Sequence, residues 1–269
     1  MPTLVLPARY SADSNALWAA AIAAGWRTAR LMRLGDAATL ARELAGDDVV
    51  IYGDTLTADA IAGACGLALL EPTPTWLPDL PHALRLREVR LLTLAEARRV
   101  PGPIFVKPVD DKLFPARVYN VVDVDPGVGD DLEVLVAEPV RFGVEVRAFV
   151  CEGEVVALSA YVRDGALARA ADGSWPLAPA EATAARGCLE RVLAEVALPP
   201  AVVVDVGEIA GRGWAVVEAN PIWASGLCGA EPEAVLPALR RACVPVSRVT
   251  ASDQPWIRSR RSIFDLAGA

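Results

Sequence analysis

Apolar and polar positions change period several times along the chain, and each change marks an element. Thr3-Leu4-Val5-Leu6 is a short apolar run that predicts a first strand. Ser11-Ala12-Asp13-Ser14-Asn15 offers side-chain oxygens to cap a helix over Ala16–Ala24, which Gly25 stops. A second helix is predicted over Asp36–Ala45 and a buried strand over Val49-Val50-Ile51-Tyr52. Gly53-Asp54-Thr55 then opens a third helix running to Leu69. This alternation predicts a small α/β unit of roughly seventy residues, without a glycine-rich phosphate fingerprint.

Glu71–Pro81 carries four prolines and no periodicity, and reads as a linker. Arg85, Arg87 and Arg90 follow; they form either a solvated helix face or a patch directed at phosphate. Ile104-Phe105-Val106-Lys107-Pro108 is a buried strand ending in lysine, costly unless the ammonium reaches an anion or snorkels outward. A polar loop with Lys112 comes next, then strands over Val118–Val124 and Glu133–Val140. Glu145–Val150 and Val155–Val162 predict an antiparallel pair, and alternation puts Glu145 and Arg147 on one face. Helices are predicted over Pro179–Leu198 and Glu233–Cys243; the tail from Ser252, with Arg258, Arg260 and Arg261 near Trp256, reads as polar and loosely packed.

The densest chemistry lies in Ala201–Ser225. Ala201–Asp205 and Trp214–Val217 are apolar runs joined through Ala210-Gly211-Arg212-Gly213, which suits a two-residue hairpin turn centred on Gly211 and Arg212. That turn opposes Asp205 and Glu218, with Asn220 on the same face two residues on. Opposed carboxylates repel, so a positive group should lie between them. Asp, Glu and Asn oxygens suit magnesium when phosphates complete its shell. The alternative is an acidic edge that keeps the hairpin soluble.

Composition narrows the class. The chain has 269 residues, a net charge of −8 and an acidic pI of about 4.8, which gives general nucleic-acid binding no electrostatic support. Mean hydropathy is +0.34, yet no apolar run is long enough to span a membrane, and the start lacks the pattern of a signal peptide. Five scattered cysteines without a CxxC argue against a disulfide framework or zinc site and point to the reducing cytoplasm. The only histidine, His82, lies in a proline-flanked loop and reads as a surface residue.

FVKP, EPVRFGVEVRAFV and DVGEIAGRGWAVVEANPIW stand in the order found in the ATP-grasp superfamily of carboxylate–amine ligases, which the chain resembles from about Leu84 to Leu227. The resemblance implies an α+β or α/β ATP-grasp fold. Residues 1–80 would be a small N-terminal α/β cap, 81–140 a central α+β lid, 141–252 a C-terminal antiparallel sheet with helices, and 253–269 a tail. It also implies ATP with Mg2+, for which Mn2+ can substitute. Lys107 matches the phosphate lysine, Glu138-Pro139-Val140-Arg141 the adenine hinge, and Glu145 the ribose glutamate; Asp205, Glu218 and Asn220 match the metal ligands. The loop Pro108–Ala116 lacks the glycines that usually close over the triphosphate, so Lys112, Arg87 and Arg147 are the candidates for phosphate or substrate roles. The implied reaction is amide or peptide bond formation through an acyl phosphate, releasing ADP. Its substrates would be a small-molecule or peptide carboxylate and an amine. A homodimer is compatible, and neither nucleic acid nor membrane is implied. The rival readings are a nucleotide-binding regulatory protein and a small-molecule kinase on the same fold.

Overall fold

A computed structural model describes residues 1–109, 113–120, 123 and 127–259. The N-terminal part runs β1 (Pro2–Pro7), α1 (Ala12–Ala23), β2 (Arg27–Leu31), α2 (Ala37–Glu43), β3 (Asp48–Ile51), α3 (Thr55–Cys65) and β4 (Leu67–Leu69). β1 lies between β2 and β3, parallel to both. Ser11 caps α1 through the amide of Ser14, and Asp54 caps α3 through that of Thr57, so both predicted starts hold within a turn. Sequence pattern missed β2, whose only fully buried position is Leu31. It also carried α3 too far. Gly66 adopts a left-handed φ of +65°, ends the helix and frees Leu67–Leu69 to become a strand.

One short helical turn, α4 (Trp76–Asp79), lies within the predicted linker and a second, α5 (His82–Arg85), follows it directly. The next sheet is built from β5 (Val89–Thr93), β6 (Ile104–Pro108), β7 (Arg117–Tyr119) and β8 (Glu133–Ala137), in the order β5-β8-β6-β7, with α6 (Leu94–Ala97) packed on it. The far end of the predicted 118–124 strand lies outside the described residues. The largest sheet contains β9 (Phe142–Cys151), β10 (Glu154–Arg163), β11 (Ala166–Leu167), β12 (Ala201–Ile209) and β13 (Gly213–Asn220), in the order β11-β10-β9-β12-β13. α7 (Pro179–Glu195) precedes β12, and α8 (Pro232–Ala242) leads into β14 (Cys243–Pro245), which pairs with β4.

β12 is buried at every position except Glu208, because the sheet is covered on both faces. Ala201, Val203 and Phe149 face α8, Trp223 and the N-terminal sheet; Val202, Val204, Val206 and Val216 face α7. Asp205 is therefore fully buried, the one buried charge on a strand held between β9 and β13. Residues 253–259 are more firmly held than expected, while Arg260 and Arg261 lie outside the described residues. Asp253 is buried and accepts from Thr250, Ile257 bridges to Leu70, and Arg258 binds Asp59 and Glu71. Among the described residues, no helix is long and apolar enough to cross a membrane.

Gly207 marks the closest approach of β12 to β9. A Cβ there would meet the Phe142 ring and the Val144 carbonyl oxygen, each at 2.8 Å. Backbone cannot yield as a flexible side chain can. Gly207→Ala is expected to lower stability by about 1–3 kcal/mol, read from the urea midpoint.

Candidate active site

The hairpin β12–β13 does oppose Asp205 and Glu218, with Asn220 opposite Val203, but its route to that register differs from the expected one. The turn has three residues, Ala210–Arg212, closing an Ile209–Gly213 pair, with Gly211 at φ +75° and Gly213 at +99°. From this turn the register runs through Val206 opposite Val216. One extra residue, Val217, then bulges out and brings Glu218 opposite Asp205. Without the bulge Glu218 would lie opposite Val204 and point into the apolar layer under α7.

Arg147 is opposite Asp205 on β9 and binds it with two hydrogen bonds, Nε to Oδ1 at 2.9 Å and Nη2 to Oδ2 at 2.7 Å. Its remaining Nη1 donates to the Gly226 carbonyl at 3.2 Å, and its guanidinium lies 3.9 Å from the Tyr161 ring centre. On the other side Lys107, at the end of β6, forms an ion pair with Glu218. Asn220 links the two pairs, donating from Nδ2 to Glu218 Oε1 at 2.9 Å and to Asp205 Oδ2 at 3.4 Å. Charges thus alternate across four strands: Arg147, Asp205, Glu218, Lys107. A cavity of about 160 Å³ opens beside Lys107, Glu218 and Asn220, walled by Pro72, Trp76 and Leu135. A larger one, of about 410 Å³, lies between α3, β4 and the chain after β14 and contains none of the predicted site residues.

Protonation follows from burial and charge. Asp205 is pushed up to about 6, because burial and the neighbouring Glu218 outweigh the Arg147 pair. Burial also acts upward on Glu218, but the Lys107 ammonium and the Asn220 amide win and hold it down at about 2. Glu145, opposite Gly207 and sharing a face with Arg147, is pushed up to about 7 by burial, then by Asp205 and Glu218.

Asp205 is fully buried, accepts from Arg147 at both oxygens and does not line the cavity, whereas Glu218 and Asn220 do and are open to it as metal ligands. The Asn220 amide would have to turn its oxygen towards the ion, exchanging its Nδ2 hydrogen bonds to Glu218 and Asp205 for the metal contact. Among the described residues no three Asp, Glu, His or Cys side chains form a metal cage. A partial set still fits magnesium, which binds through one or two carboxylates plus substrate phosphates. As placed, Asp205 stands behind the other two, between Asn220 and Arg147.

The other predicted residues divide. Glu138, Pro139, Val140 and Arg141 connect β8 to β9 and so join two sheets. The Glu138 carboxylate is half exposed and held by Arg212 at 2.6 Å, while Arg141 pairs with Asp164 at 3.0 Å in solvent. Lys112 lies outside the described residues. Arg87 does not face a cleft as expected. It is 5% exposed, and its donors go to the carbonyls of Val216 at 2.7 Å, Val217 at 2.8 Å and Arg85 at 3.1 Å. Arg85 is likewise turned onto backbone carbonyls, and Arg90 faces solvent. Two participants escaped the sequence reading. Tyr161 sits at an irregularity in β10 that alternation cannot anticipate, and Arg212 is a turn residue whose partner Glu138 is distant in sequence.

The paired charges of Arg147, Asp205, Glu218 and Lys107 thus lie where the four-stranded sheet meets the larger antiparallel sheet. The chain belongs to a family described as an ATP-grasp domain, family 2 of its clade, whose sequence model matches residues 84–238. Solved structures are similar to the chain at low identity. A RimK domain protein ATP-grasp from Sphaerobacter thermophilus is 19% identical, with a TM-score of 0.46 over 87% of this chain and 98% of that one. D-alanine–D-alanine ligase from Bacillus anthracis, complexed with ATP, is 12% identical, with a TM-score of 0.47 over 90% and 97%. N5-carboxyaminoimidazole synthetase from Staphylococcus aureus, complexed with ADP, is 11% identical, with a TM-score of 0.48 over 91% and 78%. No curated protein matches the sequence.

Two measurements check this account. Arg147→Ala would leave Asp205 buried without its partner, an expected loss of about 3–5 kcal/mol in urea unfolding. Glu145 binds its proton more tightly folded than unfolded, so its contribution to stability falls as pH rises from its ordinary value near 4.5 to about 7. In the ligand-free protein, Glu145→Gln is expected to raise the melting temperature above pH 7 relative to wild type. That gain should vanish below about pH 4.5.

Proposed function

We propose that this protein is an ATP-dependent carboxylate–amine ligase that forms an amide or peptide bond and releases ADP and phosphate. The observation that carries this reading is the charge chain from Arg147 through Asp205, Asn220 and Glu218 to Lys107, whose last three members line a cavity. Lys107 meets the phosphates of the nucleotide and leaves Glu218 to do so. Glu218 and Asn220 would hold magnesium, with Asp205 behind them kept ionised and oriented by Arg147. Magnesium, when bound, offsets charge on the β- and γ-phosphates. Glu138–Arg141 lies beside the adenine and Glu145 beside the ribose. The carboxylate of one substrate attacks the γ-phosphorus and ADP leaves; the amine of the second attacks the acyl phosphate, and phosphate leaves. Positioning and charge neutralisation supply the catalysis, so no His or Cys nucleophile is required. The acceptor is an amino acid, a peptide or another small amine.

A specific observation supports a second reading. With both Asp205 oxygens held by Arg147, the protein could bind nucleotide as a regulatory module and not turn it over. Isotope tracing separates the two. After a screen of amino acids and short peptides for ADP release, oxygen-18 placed in the active carboxylate is expected to appear in the released phosphate. ADP formed while the label stays in the carboxylate would overturn the ligase reading. A phosphorylated product would indicate a kinase, and nucleotide binding without ADP the regulatory module.

A further inference from the structure

We infer that Arg87 is a positioning residue: it holds the β13 bulge at Val217 and so turns Glu218 and Asn220 onto the face of Asp205. Successive carbonyls of a regular strand point to opposite edges, so one guanidinium cannot bind two in a row. Arg87 nonetheless donates to the carbonyls of both Val216 and Val217, at 2.7 and 2.8 Å, the residues where the register shifts. Its grip therefore selects the irregular backbone over the regular one. The segment carrying it is fixed in turn. Leu86 adopts a left-handed φ of +50°, and its carbonyl accepts from Arg212 of the hairpin turn at 2.9 Å. Arg85 donates to the Arg87 carbonyl at 3.0 Å, and the Phe142 ring lies 5.2 Å from the Arg87 guanidinium. Burial draws Arg87 down to about 10, which still leaves it cationic at neutral pH, with Glu218 among the nearby charges that favour that form. A planar fork suits this task and an ammonium does not.

The bulge makes the test unusually sharp. Deleting Val217 would keep every observed pair, Val206 with Val216, Asp205 with Glu218 and Val203 with Asn220, in a regular strand that needs no clamp. The nucleotide arm of the experiment rests on the proposed ligand; the register arm does not. Binding of Mn2+ with a non-hydrolysable ATP analogue would be followed by electron paramagnetic resonance in four full-length proteins: wild type, Arg87→Met, Arg87→Lys, and Arg87→Met with Val217 deleted. Both single variants are expected to bind about 10–100-fold more weakly, and the deletion should recover at least about tenfold in the Met background. A direct phosphate contact by Arg87 predicts the opposite: Arg87→Lys would keep much of the affinity and the deletion would recover nothing. Either result overturns the inference. So does a crystal structure of Arg87→Met in which Glu218 still faces Asp205. If Arg87→Met does not fold, the deletion variant decides alone: folding with Asp205 and Glu218 opposed supports the clamp, and failure to fold overturns it. If wild type binds no nucleotide, the ligase reading fails while the crystallographic register still tests the clamp.

Discussion

Two carboxylates face each other across a single strand pair, and one of them has no contact with water. Like charges so placed repel, and burial removes the solvent that would screen them. The arrangement persists only because cations arrive from two directions. Arg147 comes from the neighbouring strand of the same sheet, and Lys107 from a different sheet altogether. The repulsion thereby becomes a link between β6 and β13, which share no backbone hydrogen bonds. A nucleotide that draws Lys107 towards its phosphates would exchange one partner of that link for another, so ligand binding and the relation between the sheets are governed by the same few charges.

The surroundings of this pair serve to keep it in place. A continuous apolar strand buries Asp205, the carbonyls of an outer strand are gripped by an arginine, and a close glycine contact lets β9 bring Glu145 and Arg147 alongside. Each departs from what a sheet of this size requires for stability alone. Together they set two acids and an amide on one face within reach of a lysine, which is the geometry an anionic ligand and its metal would use.

How much of this was legible in the sequence depended on distance along the chain. Alternation put Glu145 with Arg147 and Glu218 with Asn220, because both are two-residue relations within one strand. The opposition of Asp205 and Glu218 was also anticipated, though from a two-residue turn. The three-residue turn shifts the register by one, and the Val217 bulge shifts it back. Two local departures cancelled, so a simpler geometry reached the same pair. Arg87 shows the limit. Its spacing from Arg85 and Arg90 suggested a solvated face or a patch directed at phosphate, but its partners are backbone carbonyls far along the chain, at a separation of 129 for Val216 and 130 for Val217. Nothing local signals such a contact. The placement of Arg258 on Asp59 and Glu71 escaped notice for the same reason.

The return of the chain to its beginning has a kinetic consequence. β14 pairs with β4, and the Ile51 amide donates to the Cys243 sulfur across a separation of 192 residues. Trp223 and Phe149 share one core with Leu4, Leu6 and Val50. The matched segment, residues 84–238, has cores of its own, but the face of its largest sheet that carries Phe149 and Val203 is buried against the N-terminal residues. Until residues beyond 240 have emerged from the ribosome, β4 lacks its partner and the N-terminal sheet lacks α8. Long-range closure of this kind slows folding and leaves apolar surface open meanwhile. A nascent chain of this protein would expose the edge of β4 and one apolar face of the N-terminal sheet until α8 and β14 arrive.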